Sequence, residues 1–152
     1  MIYQKTERGA TLIEVLVTIV VLAIGLLGLA GLQVTSMQSN HSAYYRSQAT
    51  ILAYDISERM RANRTVALGG SYDVDFPTSS NSHSVNGNQA TRDRAEWLNT
   101  LADILPNGTG KVERNNNLIT IHVRWDDTRG QIHKTDGSDP TTTETFVYRT
   151  EI

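Results

Sequence analysis

Cysteine is missing from all 152 residues, which excludes disulfide staples, thiolate metal sites and a cysteine nucleophile. Proline is scarce: there are three, and the first is Pro77. Nothing of that kind interrupts a helix between Ala10 and Asn63. Charge of one sign is also lacking, since the net charge is −2, and such a balance does not mark a polyanion-binding chain. No nucleic-acid binding is expected. There is no phosphate-cradling glycine loop and no nucleophile elbow. His41, His83, His122 and His133 are scattered without ligand spacing. Asp126, Asp127, Asp136 and Asp139 fall in one polar loop but lack the residue order of a calcium loop, so solvated acids are the simpler reading. We expect no enzyme, no cofactor and no metal.

What the chain does have is one long apolar run. From Val15 to Leu32 no residue is charged and Thr18 is the only polar side chain. As helix this run spans about 27 Å, close to the ~30 Å hydrocarbon core of a bilayer. Before it stands "MIYQKTERG", with Lys5 and Arg8 against the single acid Glu7. The positive-inside tendency places this end in the cytoplasm and the rest of the chain on the exported side. A cleaved secretory signal could use the small residues of "GLLGLAGLQ", Gly25 to Gln33. That option leaves Glu14 unexplained, as does a plain anchor.

Glu14 is a carboxylate at the head of the apolar run. At mid-membrane such a group costs roughly 2.5–3.5 kcal/mol on insertion scales, and less near an interface. Intramembrane acids are usually paired and functional. If the chain is cut between Gly9 and Ala10, a new ammonium appears four residues before Glu14, one helical turn away, or on a neighbouring copy. A buried pair of this kind fixes register between packed helices more than it adds stability.

The stretch "GATLIEVLVTIVVLAIGLLGLAGLQ", Gly9 to Gln33, closely resembles the N-terminus of type IV prepilins and pseudopilins. The resemblance implies that Gly9 is the last leader residue, Ala10 the new N-methylated terminus, and Glu14 the fifth residue of the mature chain. A membrane aspartyl prepilin peptidase would be the processing enzyme, with this chain as its substrate. One departure is Ala10, where the family usually has Phe.

Beyond the run, Val34, Met37, His41, Tyr45, Ala49, Leu52, Ile56 and Met60 recur every three or four residues, the helical period. One helix over residues 10–64 follows, with its transmembrane part at about 12–32. Arg59, Arg61 and Arg64 crowd its end and suit the negative pole of the macrodipole. Gly25, Gly28 and Gly31 recur every three residues. They either mark a zone of close or extensible backbone, or are ordinary membrane-helix glycines. The run from Asp55 through Glu58, Arg59, Met60, Arg61, Ala62 and Asn63 resembles the helix end of minor pilins of the PilV type.

Residues 65–91, with Gly69, Gly70, Pro77 and "SSNSHSVNGNQ", read as an exposed connecting loop containing one short strand near Tyr72 to Val74. In "DRAEWLNTLADILPNG", Asp93 and Glu96 form a capping-box-like start. Trp97, Leu98, Leu101 and Leu105 share one face, and Pro106 with Gly108 ends the helix. "GKVERNNNLITIHVRW" reads as two strands about a turn at Asn115 to Asn117. Ile119, Ile121, Val123 and Trp125 form its buried face. "TTTETFVYRTEI" closes the chain as a strand with Phe146, Tyr148 and Ile152 on one side.

The expected fold is α+β: a leader at 1–9, the long helix, the connection, and a small antiparallel-sheet head at 92–152 packed on the C-terminal half of the helix. The resemblance implies a minor pilin that primes type IV pilus assembly, sits at the tip, and supports adhesion, twitching motility or DNA uptake. Its implied partners are other minor pilins, the major pilin, the prepilin peptidase and the inner membrane, before it passes to the cell surface. A type II secretion pseudopilin is the alternative within the class, and an uncleaved membrane-anchored binding module the alternative outside it.

Overall fold

The structure, a computed structural model, describes residues 11–77, 82–128 and 143–152. The element order is α1 (Leu12–Ala62), α2 (Arg64–Leu68), α3 (Gln89–Ile104), β1 (Thr109–Asn115), β2 (Leu118–Asp126) and β3 (Thr143–Glu151). The chain divides into two units, Met1–Met37 and Gln38–Ile152. The leader, Gly9 and Ala10, and with them His133, Asp136 and Asp139, lie outside the described residues.

In the first unit, α1 carries the apolar run with every residue from Leu12 to Gly31 exposed. It is the one helix among the described residues long and apolar enough to cross a membrane. Water is a poor solvent for so much apolar surface, so this segment calls for lipid or packed helices around it. Outside the adjoining backbone and chain neighbours of the helix itself, no described atom stands within 4 Å of a Cβ built at Gly25, Gly28 or Gly31.

The second unit is built on the later turns of α1. Ala49, Leu52, Ala53, Ile56 and Met60 are buried, and their three- and four-residue spacing forms one helical stripe. The three-stranded antiparallel sheet, in the order β1-β2-β3, lays Val112, Ile119, Ile121, Val123 and Trp125 into the same core. From α3 come Trp97, Leu98 and Leu101. The indole N–H of Trp97 donates to the Leu52 carbonyl at 2.9 Å. Phe146, Tyr148 and Ile152 pack at the margin of this core, half-buried. The α+β expectation holds. The periodic stripe is covered only from Tyr45 onward; Val34, Met37 and His41 are exposed.

Three sequence expectations are corrected. First, the helix ends at Ala62 rather than at 64, and the chain turns at Asn63 before the short α2. Second, the connection is not uniformly exposed. Ala67 and Tyr72 are fully buried, while the short strand expected near Tyr72 to Val74 is present as a two-bond bridge from Val74 to Val112 at the edge of β1. Third, α3 starts four residues before Asp93. Asn88 is its cap, with extended backbone and a side chain that accepts from the Thr91 N–H at 2.9 Å, the ordinary N-cap bond. The stop is as read: Leu105 caps the helix, Pro106 follows, and Asn107 turns left-handed at φ 50°.

β1 and β2 are joined by a two-residue turn at Asn116 and Asn117, with Asn115 opposite Leu118. Asn116 has φ 56°, a left-handed conformation that asparagine tolerates better than most side chains. Gly110 in β1 sits where a Cβ would lie 2.2 Å from the Trp97 ring, so only glycine lets α3 come this close to the sheet.

Candidate functional site

Glu14 lies in the first turn of α1 and is exposed. Its backbone N–H donates to the Thr11 carbonyl at 3.0 Å. A carboxylate there is favoured by the positive end of the helix macrodipole. Among the described residues no side chain bonds to or pairs with its carboxylate. Its neighbours along the helix are Ile13, Val15, Leu16 and Val17, all exposed. Gly9 and Ala10 fall outside the described residues, so Glu14 is the one candidate residue of the three with a described position.

The second polar assembly lies at the other end of α1 and binds the head together. Asp93, one turn into α3, is 5 % exposed and collects donors from three segments. Tyr72, fully buried, donates its hydroxyl to Asp93 Oδ2 at 2.5 Å. Gln89 Nε2 donates to Oδ1 at 2.8 Å, and Arg59 reaches the same oxygen at 3.4 Å. Asn63 Nδ2 in turn donates to the Tyr72 oxygen at 3.2 Å. Arg59 also bonds Asp55 at 3.0 Å and Glu96 at 2.7 Å. A buried carboxylate needs such partners, because an unpaired one is costly.

The local field follows from this geometry. Burial pulls the Arg59 guanidinium down, but the hydrogen bonds to Glu96 and Asp55 and the charge of Asp93 more than offset it. The net pKa lies above the usual arginine value. The Tyr72 phenol is also raised, by burial first and then by the hydrogen bond to Asp93, against the opposing pull of Asn63 and Arg59.

The remaining arginines at the helix end are engaged as well. Arg61 pairs with Glu58 and donates to Thr150 Oγ1 at 2.7 Å. Arg64 donates to the Ile152 carbonyl at 3.1 Å. The run from Asp55 to Asn63, singled out for its resemblance, is therefore the seam at which α1, α3, the connection and β3 meet. Its arginines are used inside the head.

The acid loop resolves into two separate roles where it is described. Asp127 is 2 % exposed and accepts from Ser42 Oγ on α1 at 2.7 Å. Asp126 accepts from the Thr128 backbone N–H at 2.9 Å. No group of three metal-ligating side chains occurs among the described residues. The histidines are apart: His41 lies beside Tyr45, His83 is held through its backbone by Asn99, and His122 faces Glu113 at 3.2 Å.

On the outer face of the sheet Lys111 bridges Asp75 at 3.3 Å and Glu113 at 2.7 Å. Its ammonium is raised, through the Glu113 bond first, while Glu113 is lowered in turn. Asp75 is lowered by the Phe76 N–H and then by Lys111. Arg124 stacks over the Phe76 ring at 4.1 Å, a cation–π contact.

Sequence reasoning did not find Tyr72 or Asn88, and it gave Asp93 the wrong task. Asn88 stood in the open as an N-cap type three residues before Thr91. Tyr72 carried no local signal beyond being an aromatic residue in a polar stretch.

Two family models match. Residues 4–30 match the prokaryotic N-terminal methylation motif, a span that includes Gly9, Ala10 and Glu14. Residues 31–96 match the Tt1218-like family, described as type IV pilin Tt1218, and this span holds every residue of the Asp93 cluster. No curated protein and no solved structure gives a significant match. An N-terminal methylation motif that runs directly into a type IV pilin match, on a long helix carrying a three-stranded antiparallel head, supports a type IV pilin.

Proposed function

We propose that this type IV pilin is a minor subunit of the PilV type, made as a prepilin, cut after Gly9 and methylated on Ala10. It enters the inner membrane with Lys5 and Arg8 on the cytoplasmic side and its head in the periplasm. It then joins other minor pilins in a complex that primes the pilus and is carried at its tip, in contact with the major pilin. Adhesion, twitching motility and DNA uptake are the activities it serves through the pilus. It works as a structural subunit and catalyses nothing itself.

One observation carries this reading: Glu14, an acid without a described partner in the first turn of an exposed apolar helix, falls inside the methylation-motif match. A lone carboxylate in lipid is unfavourable. The ammonium that cleavage creates at Ala10 supplies the missing charge, within the chain or from an adjacent subunit. The same helix offers Tyr44 and Ile51, both more than half exposed, beyond the membrane segment, as further surface for neighbouring helices.

The test is the mass of the N-terminal peptide from protein purified out of membranes of cells with an active prepilin peptidase. A methylated Ala10 terminus is expected. Retention of Met1 through Gly9 overturns the reading in favour of an uncleaved anchor. A processed chain recovered with a secretion apparatus rather than with pili favours the type II pseudopilin.

A further inference from the structure

The chain contains two Asn-Gly pairs, Asn86–Gly87 and Asn107–Gly108, and the fold treats them oppositely. In this dipeptide the glycine nitrogen meets no β-carbon as it approaches the asparagine side-chain carbonyl, so ring closure is the least hindered of any asparagine pair. Ring closure still requires that the glycine N–H be free.

At Asn107–Gly108 it is not free. Gly108 is buried, and its N–H donates to the Leu105 carbonyl at 2.9 Å. A Cβ at Gly108 would lie 2.0 Å from the Leu101 carbonyl oxygen, so this backbone is packed directly against the end of α3. At Asn86–Gly87 both residues are exposed, and among the described residues no acceptor takes the Gly87 N–H. Asn86 Nδ2 donates to the Ser84 hydroxyl at 2.7 Å, an exposed contact within the same loop that leaves Cγ open to attack from the Gly87 nitrogen.

We propose that Asn86–Gly87 is a site of spontaneous deamidation, and that folding confines this reaction to Asn86 while protecting Asn107. Hydroxide removes the Gly87 amide proton, and the nitrogen attacks Cγ of Asn86. The N–Cγ bond forms, the Cγ–Nδ2 bond breaks, and the nitrogen leaves as ammonia after taking a proton, with a succinimide left behind. Water then opens one of the two imide bonds, yielding aspartate or isoaspartate at position 86. No electron changes hands, and water is the only co-reactant.

The two products act differently on α3. Aspartate at 86 puts a negative charge two residues before the Asn88 cap, at the positive end of the helix. Isoaspartate inserts an extra backbone carbon just before that cap, where Asn88 Oδ1 holds both the N–H and the hydroxyl of Thr91 at 2.9 Å. It therefore loosens the first turn.

The experiment incubates the full chain in detergent at mildly alkaline pH. Fragment-ion mass spectrometry then follows conversion at Asn86 and Asn107, with isoaspartyl methylation as a second readout. Folded protein should convert Asn86 at least about tenfold faster than Asn107, the protection that an opening cost of about 1.4 kcal/mol gives. In denaturant the two rates should come together. Equal rates in the folded protein, faster loss at Asn107, or no conversion at Asn86 until the chain is unfolded would overturn the proposal. So would a gap that persists in denaturant, because sequence rather than fold would then set it.

Discussion

Tyr72 and Asp93, 21 residues apart, meet through a 2.5 Å hydrogen bond in the interior of the head, and Arg59 of α1 reaches the other oxygen of the same carboxylate. The contact ties the connection after α2 to α3, and both to the end of the long helix. Substituting Asp93 with Ala leaves the Tyr72 hydroxyl buried without its acceptor, a loss of about 1–3 kcal/mol. Urea unfolding of the full chain in detergent, followed by Trp97 and Trp125 fluorescence, should show it. Asp103→Ala, exposed on the same helix, should stay within about 0.5 kcal/mol of the parent.

The same pair sets an alkaline limit. Because the folded Tyr72 phenol is raised, the unfolded chain loses this proton first as pH climbs. Its contribution is full below the unfolded phenol value of about 10 and falls as pH rises through the folded value. Tyr72→Phe should flatten stability against pH in that window, although Lys111, also raised, keeps a residual slope. Unfolding midpoints measured across the alkaline range decide the matter; an unchanged slope would contradict the assignment.

Gly110 is predicted to be intolerant. An alanine Cβ would stand 2.2 Å from Trp97 and 2.7 Å from Leu101, and overpacking of this kind costs about 1–3 kcal/mol. Gly110→Ala should lower the unfolding midpoint, whereas Gly28→Ala, which meets nothing within 4 Å beyond its own helix, should leave the head unaffected.

Glu14→Ala should leave membrane insertion intact, since it removes a charge from an apolar helix, and should reduce incorporation into pili. Immunoblots of membrane and sheared-pilus fractions read the two steps apart. Normal piliation would remove the pairing argument.

Replacing Gly9 with a bulky residue such as Leu should keep the leader attached, because the peptidase must accept the residue at the scissile bond. Intact mass gives the answer directly. Unchanged processing would place the cut elsewhere.

Much of the architecture could be read from local pattern. The helix announced itself through absent proline and a three-to-four residue period, and β2 through the alternation from Ile119 to Trp125, all four of whose apolar members are buried. Glu14 stood out because a single charge is conspicuous in lipid-like surroundings. The Asp93 cluster was hidden for the opposite reason. Its members come from Arg59, Asn63, Tyr72 and Gln89, so no window of sequence contains the interaction, and Asp93 near Glu96 imitated a cap. The true cap, Asn88, was masked by a stretch already rich in Asn, Ser and Gly. The burial of Tyr72 depends on α3 being docked, which local propensity does not encode.

α1 and β3 run side by side in the same direction, joined from Arg46–Glu144 through Tyr54–Tyr148 to Arg61–Thr150, and Arg64 of α2 bonds the Ile152 carbonyl just beyond them. Between Arg46 and Arg61 the helix rises about 22 Å and between Glu144 and Thr150 the strand rises about 20 Å, so neither element outruns the other. Tension along the helix axis thus loads these fastenings in shear, all at once, rather than peeling them singly.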